Sequence, residues 1–292
     1  MSTSGSSVKR ETLDQVRGEM GLPEAVPIDL DGLRTVYGAW CRNMTFDNIR
    51  KVISLRTGQG SLPGLDAEDY FQNWLANRSG GTCWPSSNAL FELISSYGFD
   101  ARRVAGSMYD LPDPNHGTVK VRLDGTDYLA DSSMLTGEPL PLDGNLLIKT
   151  DGPVRIEIEY PEKGTLIWVD FPPTPDFIPC RLKIDPVDTA FYDERYEASR
   201  QMSPFNDRVY LRKVNSDGVD VLLGNMHFRR EGEALVAREL SADELCTAMH
   251  EIGGVSESLI SRWADAGGLD ASMDTSAPKP NFPDCGPRPS RR

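Results

Sequence analysis

The chain has 292 residues, 39% of them hydrophobic, enough to build one large domain or two to three small ones. Its formal net charge of −13 argues against broad binding to nucleic acid or to an anionic membrane surface, so a phosphate-bearing ligand would need a local basic patch or backbone N–H groups. No run of about 18 apolar residues is present, which excludes a transmembrane helix.

Residues 1–8 have the composition of a disordered segment, and the stretch MSTSGSSVKRETLDQ lacks the apolar core of a signal peptide, so a cytoplasmic protein is expected. Helical spacing covers residues 11–20 and 29–42, where Leu30, Leu33, Val36, Tyr37 and Trp40 recur on one face. Residues 57–64, TGQGSLPG, read as a loop; they are not a dinucleotide fingerprint, because GxGxxG fails at Pro63. Residues 67–77 and 86–97 again read as helices. From about 101 to 170 the pattern changes to short alternating runs broken by DG, PD and PE, with clear strand candidates at 154–160 and 164–171. Three more strands are expected over 207–238, as DRVYLRKV, DVLLGNMHFRR and EALVAREL. Ser241 with Glu244 is a capping box opening a helix whose stripe is Leu245, Met249 and Ile252. After about 270 the composition is that of a disordered tail. There are no internal repeats.

Five cysteines stand at 41, 83, 180, 246 and 285. They are odd in number, scattered and without a CxxC pair, so neither a disulfide framework nor a thiolate zinc site is expected, and each reads as a free thiol. Cys83 is set apart by its surroundings, RSGGTCWPSSNALF. Pro85 suits the first turn of a helix, and Leu90, Phe91, Ile94 and Tyr97 follow at helical spacing. That places Cys83 at a helix N-terminus, where the dipole and unsatisfied N–H groups favour a thiolate. Gly80 and Gly81 allow a close approach of backbone or substrate. The bland alternative is a small apolar residue packed in the core.

A nucleophilic cysteine needs a base, and there are three histidines. His250 near a helix end reads as structural, and His227 lies in a strand-like run. His116 precedes GTVKVRLDGTDYLAD, which folds on paper. Asp124–Gly125 is a two-residue hairpin signal. It pairs Leu123 with Thr126 and Arg122 with Asp127, and outward from there Thr118 faces Asp131. His116 then lies on the same face, diagonal to Asp131 and within reach of its carboxylate. A slip of one residue would put the two on opposite faces. Lys120 and Arg122 share that face, so geometry alone leaves a His–Asp pair and an exposed polar face both open.

Taken together, these segments resemble the arylamine N-acetyltransferases. That family's pattern is an F-E-N-L-like segment, a G-G-x-C nucleophile at a helix start, a histidine, and an aspartate at the end of the next strand. The chain has FDNI at 46–49, GGTC at 80–83, GF at 98–99, NHGTVKV at 115–121 and YLAD at 128–131. The resemblance covers about 30–145 well and 170–260 loosely. It implies a Cys83–His116–Asp131 catalytic triad and an α+β multi-domain fold with a cysteine-protease or transglutaminase-like core. The implied parts are a helical domain over 1–100 carrying the nucleophile, a β-barrel domain over 101–205 carrying His and Asp, an α/β lid over 206–270 and a disordered tail over 271–292. It further implies ping-pong transfer of an acyl group from a coenzyme A thioester to a small-molecule amine, with no bound cofactor and no metal, nucleic-acid or membrane partner. The chain departs from the pattern near the site. Ser79 stands where the family usually has Arg, Thr82 replaces an aromatic residue, Pro85 an acidic one, and SSML at 132–135 replaces V-G-F-G. These departures leave open an amide synthase working from a carrier-protein or other thioester. A Cys–His–Asp triad also serves amide hydrolases and transglutaminase-like enzymes.

Overall fold

The computed structural model describes residues 8–276 apart from 59, 143–147, 150–155, 160–163, 170, 175–176, 184 and 232–233. The first hundred residues form helices α1 (Arg10–Glu19), α2 (Leu30–Asn43), α3 (Ile49–Thr57), α4 (Ala67–Asn77) and α5 (Cys83–Ser96), with the short strand β1 (Phe46–Asp47) between α2 and α3. The apolar stripe expected on α2 is the buried one: Leu33, Val36, Tyr37 and Trp40 face the core. Trp40 stacks on Tyr70 of α4 with ring centroids 6.0 Å apart. The Asp29 carboxylate starts α2 by accepting the Gly32 N–H at 2.9 Å. Helix α3 was not expected. It is short and rich in β-branched residues, and it is fixed from outside: Asn48, just before it, donates to the Phe205 and Arg208 carbonyls and accepts from the Tyr210 N–H.

Eight antiparallel strands follow as one sheet. They are β2 (Asp100–Met108), β3 (His116–Leu123), β4 (Thr126–Ala130), β5 (Leu140–Pro141), β6 (Ile148–Lys149), β7 (Ile156–Glu159), β8 (Leu166–Val169) and β9 (Ile178–Lys183), in the order β5-β4-β3-β2-β9-β8-β7-β6. The strand expected over 154–160 is β7 at Ile156–Glu159; residues 154, 155 and 160 lie outside the described residues. Helix α6 (Thr189–Ala198) leads to a second sheet of β10 (Tyr210–Val214), β11 (Val219–Leu223), β12 (Met226–Glu231) and β13 (Ala234–Glu239), with β1 on its edge beside β10. One expectation needs correction here. DVLLGNMHFRR is two strands, because Gly224–Asn225 is itself a hairpin turn, with Gly224 at φ 57°.

Both faces of β10 are buried. Val209 and Leu211 pack with Ile49, Val52, Leu245, Met249 and Trp263 in one cluster, while Tyr210 and Val214 face the main core. The helices in that second cluster are α3, α7 (Ala242–Gly253) and α8 (Glu257–Asp265). The capping box read from sequence starts α7. Helix α9 (Gly268–Met273) enters the stretch expected as tail, and residues 277–292 of that tail lie outside the described residues. No helix among the described residues is long and apolar enough to cross a membrane.

Candidate active site

The loop leading into Cys83 is held by a buried carboxylate. Asp47 on β1 accepts the Ser79 hydroxyl at 2.8 Å, the Gly80 N–H at 2.6 Å, the Thr45 hydroxyl at 2.7 Å and the Ile49 N–H at 3.2 Å. Burial pushes its carboxyl above the usual range despite these donors. The glycines are required by contact. A Cβ on Gly80 would lie 2.1 Å from the Thr45 carbonyl oxygen, and Gly81 bridges to Phe46. Thr82 then takes the extended N-cap conformation and Cys83 begins α5. Cys83 is buried, with 8% of its surface exposed.

The hairpin brings its partners to the thiol. The register is the one read from sequence, Arg122 opposite Asp127 and Leu123 opposite Thr126, and it runs to Val119 opposite Ala130. Asp124 and Gly125 turn the chain with φ 47° and 86°, as a type I′ turn needs. His116 and Asp131, just beyond the ladder, are both buried, and His116 Nε2 lies 2.6 Å from Asp131 Oδ2. The Cys83 side chain lies near enough to the imidazole to help raise it. The Cys83 Sγ also lies 3.8 Å from the Asn115 carbonyl oxygen. Helix α5 can approach β3 this closely because Gly117 has no side chain. A Cβ there would be 2.7 Å from the Trp84 ring. Ser87 ties the two elements by donating to the Gly117 carbonyl at 2.6 Å.

Electrostatics favours an ion pair. Burial alone pulls the His116 imidazole down, but the Asp131 charge, the hydrogen bond to Asp131 and the nearby Cys83 side chain outweigh it and hold it well above the ordinary histidine value. Burial likewise pushes Asp131 up. The His116 charge and the N–H groups of Met134 and Ser133, each donating at 2.8 Å to Oδ1, reverse that and leave it low. A carboxylate that orients and charges an imidazole beside a thiol at a helix start can activate that thiol as a nucleophile.

A model of the N-acetyltransferase family matches residues 29–256. The chain belongs to the arylamine N-acetyltransferase family, as a divergent member. The divergence shows in the relatives. The uncharacterized acetyltransferase YvcN of Bacillus subtilis is 23% identical over 175 residues, 56% of this chain and 68% of that protein. An arylamine N-acetyltransferase of Mycolicibacterium smegmatis is 26% identical over 112 residues, 35% of this chain and 39% of that protein. The fold is shared more widely. The structure of Nocardia farcinica arylamine N-acetyltransferase superimposes with a TM-score of 0.76 at 17% identity, covering 92% of this chain and all of that one.

Within this N-acetyltransferase the departures from the family pattern have local explanations. Ser79, in place of the usual arginine, is the hydroxyl that donates to Asp47. The SSML segment meets Asp131 through backbone N–H groups, which any residues but proline could supply at 133 and 134. Ser132 adds a hydroxyl contact to Ser87 at 2.8 Å. Three residues around the site went unread in the sequence. Asp47 was seen only as part of FDNI. Tyr37 was assigned to the core stripe, yet its hydroxyl donates to the Asp131 carbonyl oxygen at 2.7 Å. Arg212 carried a signal, since alternation puts it on the same face of β10 as buried Tyr210 and Val214. The other histidines stand elsewhere. His227 bonds Asp220 at 2.8 Å, and His250 Nδ1 bonds the Val255 carbonyl oxygen at 2.9 Å. Among the described residues no cluster of three or more His, Cys, Asp or Glu could hold a metal ion.

Proposed function

We propose that Cys83, His116 and Asp131 are the catalytic triad of this N-acyltransferase, which moves an acyl group from a coenzyme A thioester to an aromatic amine through an acyl-cysteine. The observation that carries this reading is the buried His116–Asp131 pair, 2.6 Å apart, beside a cysteine that begins helix α5. His116 holds the proton taken from the thiol, as the imidazolium paired with Asp131, while the Cys83 sulfur attacks the thioester carbonyl. The tetrahedral oxyanion meets the Cys83 backbone N–H at the start of α5. The C–S bond to coenzyme A breaks, and the leaving thiolate receives the proton from His116. An amine then attacks the acyl-cysteine, His116 takes the amine proton and returns it to the Cys83 sulfur, and the amide departs.

An aromatic acceptor is supported by the rings grouped beside the nucleophile loop. Phe46, which bridges to Gly81, packs edge-on against Phe171, Phe205 and Tyr210. The three-part division, with a helical unit over 1–100, a barrel-like unit over 101–205 and a lid over 206–270 on a protease-like core, belongs to the same reading. It is supported by the run of helices α1–α5, the eight-stranded sheet and the α/β layer of β10–β13 with α7 and α8.

Steady-state kinetics with a panel of coenzyme A thioesters against an arylamine tests the proposal. Parallel double-reciprocal lines with at least one coenzyme A ester are expected. Turnover only with a carrier-bound thioester would favour an amide synthase. Turnover only of amides, with water as acceptor, would make the enzyme a hydrolase.

A further inference from the structure

Arg212 is fully out of water on β10, which is costly for a guanidinium unless its surroundings compensate. Its cation lies over the Phe171 ring, 4.9 Å from the centroid. Its Nη1 donates to the carbonyl oxygens of Ser133 at 2.6 Å and Met134 at 2.8 Å. The Ser133 carbonyl and the Met134 N–H are the two ends of one planar peptide group. That same Met134 N–H donates to Asp131 Oδ1 at 2.8 Å. A cation on the carbonyl end of an amide polarises it and makes its N–H a stronger donor.

We propose that Arg212 is a positioning residue for Asp131, acting through the 133–134 peptide group to keep the carboxylate charged and aimed at His116. The inference rests on the triad reading. It explains why an arginine occupies a strand position whose neighbours on the same face, Tyr210 and Val214, are core residues. It also gives the SSML segment a function that depends on its backbone: one peptide group accepts from the lid and donates to the aspartate.

Other titratable groups surround this pair. His116 of β3, Tyr37 and Cys41 of α2, Cys180 of β9 and Tyr192 of α6 face Asp131, and Cys41 and Tyr210 face Arg212. Burial pushes the Cys41 and Cys180 thiols up to about 11 and about 12, and it raises the three phenols as well. None of these five therefore gains charge near neutral pH. That leaves the His116–Asp131 pair as the titrating unit, and removing a nearby cation must move its proton affinities upward.

The test is the rate of Cys83 alkylation by iodoacetamide against pH, read by peptide mapping in the parent, Arg212→Gln, Arg212→Lys and His116→Asn, with circular dichroism as the check on folding. Arg212→Gln keeps a donor for the carbonyls and loses the charge. Its acid limb should move up by about one pH unit, with the plateau rate held within about twofold. Arg212→Lys should leave the limb in place. A limb unmoved in Arg212→Gln, or a lowered plateau alone, overturns the proposal and makes Arg212 a purely structural anchor. If Arg212→Gln does not fold, Arg212→Lys decides: a limb in place supports the proposal and a displaced one overturns it. His116→Asn separates the two levels. An unchanged profile there removes the triad reading and this inference with it, whereas a changed profile beside an unmoved Arg212→Gln limb removes this inference alone.

Discussion

Replacing Asp131 by asparagine changes one atom and should cost the enzyme most of its turnover. Asp131 Oδ1 is held by two backbone N–H groups at 2.8 Å, and Oδ2 meets His116 Nε2 at 2.6 Å. In Asp131→Asn the two backbone donors keep the amide oxygen on their side. The amide NH2 then faces His116 and offers a donor where an acceptor is needed. The imidazole must take the other tautomer, which turns an N–H toward the Cys83 thiol and leaves no base there. The charge is lost as well. Two unit charges about 4 Å apart in an effective dielectric of about 20 interact by about 4 kcal/mol, which is about a thousandfold in rate. The assay is kcat/KM for acyl transfer from the best coenzyme A thioester, with thermal melts to show that the variant is folded. Asp127→Asn is the control. Asp127 pairs with Lys120 at 3.0 Å and Arg122 at 2.9 Å at the edge of the same hairpin. It should keep activity within about twofold and stability within about 1 kcal/mol. A folded Asp131→Asn with activity within about tenfold of the parent would refute the electrostatic argument.

The same contacts predict stability and reactivity. Ser79→Ala removes one donor from buried Asp47 and should lower the unfolding free energy by about 1–3 kcal/mol in urea titration, and no change would mean that the remaining donors suffice. The raised His116 contributes stability that is full below its unfolded value of about 6.5 and is lost as pH rises through its folded value; the lowered Asp131 contributes stability that is full above about 3.9 and is lost as pH falls through its folded value. The stability difference between parent and Asp131→Asn should therefore be greatest between about pH 4 and 6.5 and shrink on both sides, and a difference flat with pH would contradict the ion pair. Iodoacetamide near neutral pH should label Cys83 well before Cys41 and Cys180, whose thiols are fully buried and pushed up, while equal labelling of Cys180 would show that the thiol at the helix start is not set apart.

The site was legible where local chemistry dictates geometry. Asp124–Gly125 admits one tight turn, that turn admits one register, and the register places His116 and Asp131 on one face. The two glycines and the helix start marked Cys83 in the same way. Unread were the features created by distant packing. Helix α3 depends on Asn48 reaching the segment 205–210. Asp47 reaches the loop before Cys83 only because β1 lies beside Gly81. Arg212 meets the 133–134 peptide group from a strand almost eighty residues further on. The missed break at Gly224–Asn225 is different in kind. Its turn signal was present, but it sat inside an apolar run that reads as one long strand.

The central claim is that the acyl group passes through Cys83. The direct measurement is to mix the enzyme with coenzyme A thioesters in the absence of amine, quench, digest and locate the acyl group by mass spectrometry. One acyl group on the peptide containing Cys83 is predicted, discharged on adding an arylamine and absent from Cys83→Ala. An acyl group on another residue, or amide formation that persists in Cys83→Ala, would contradict it.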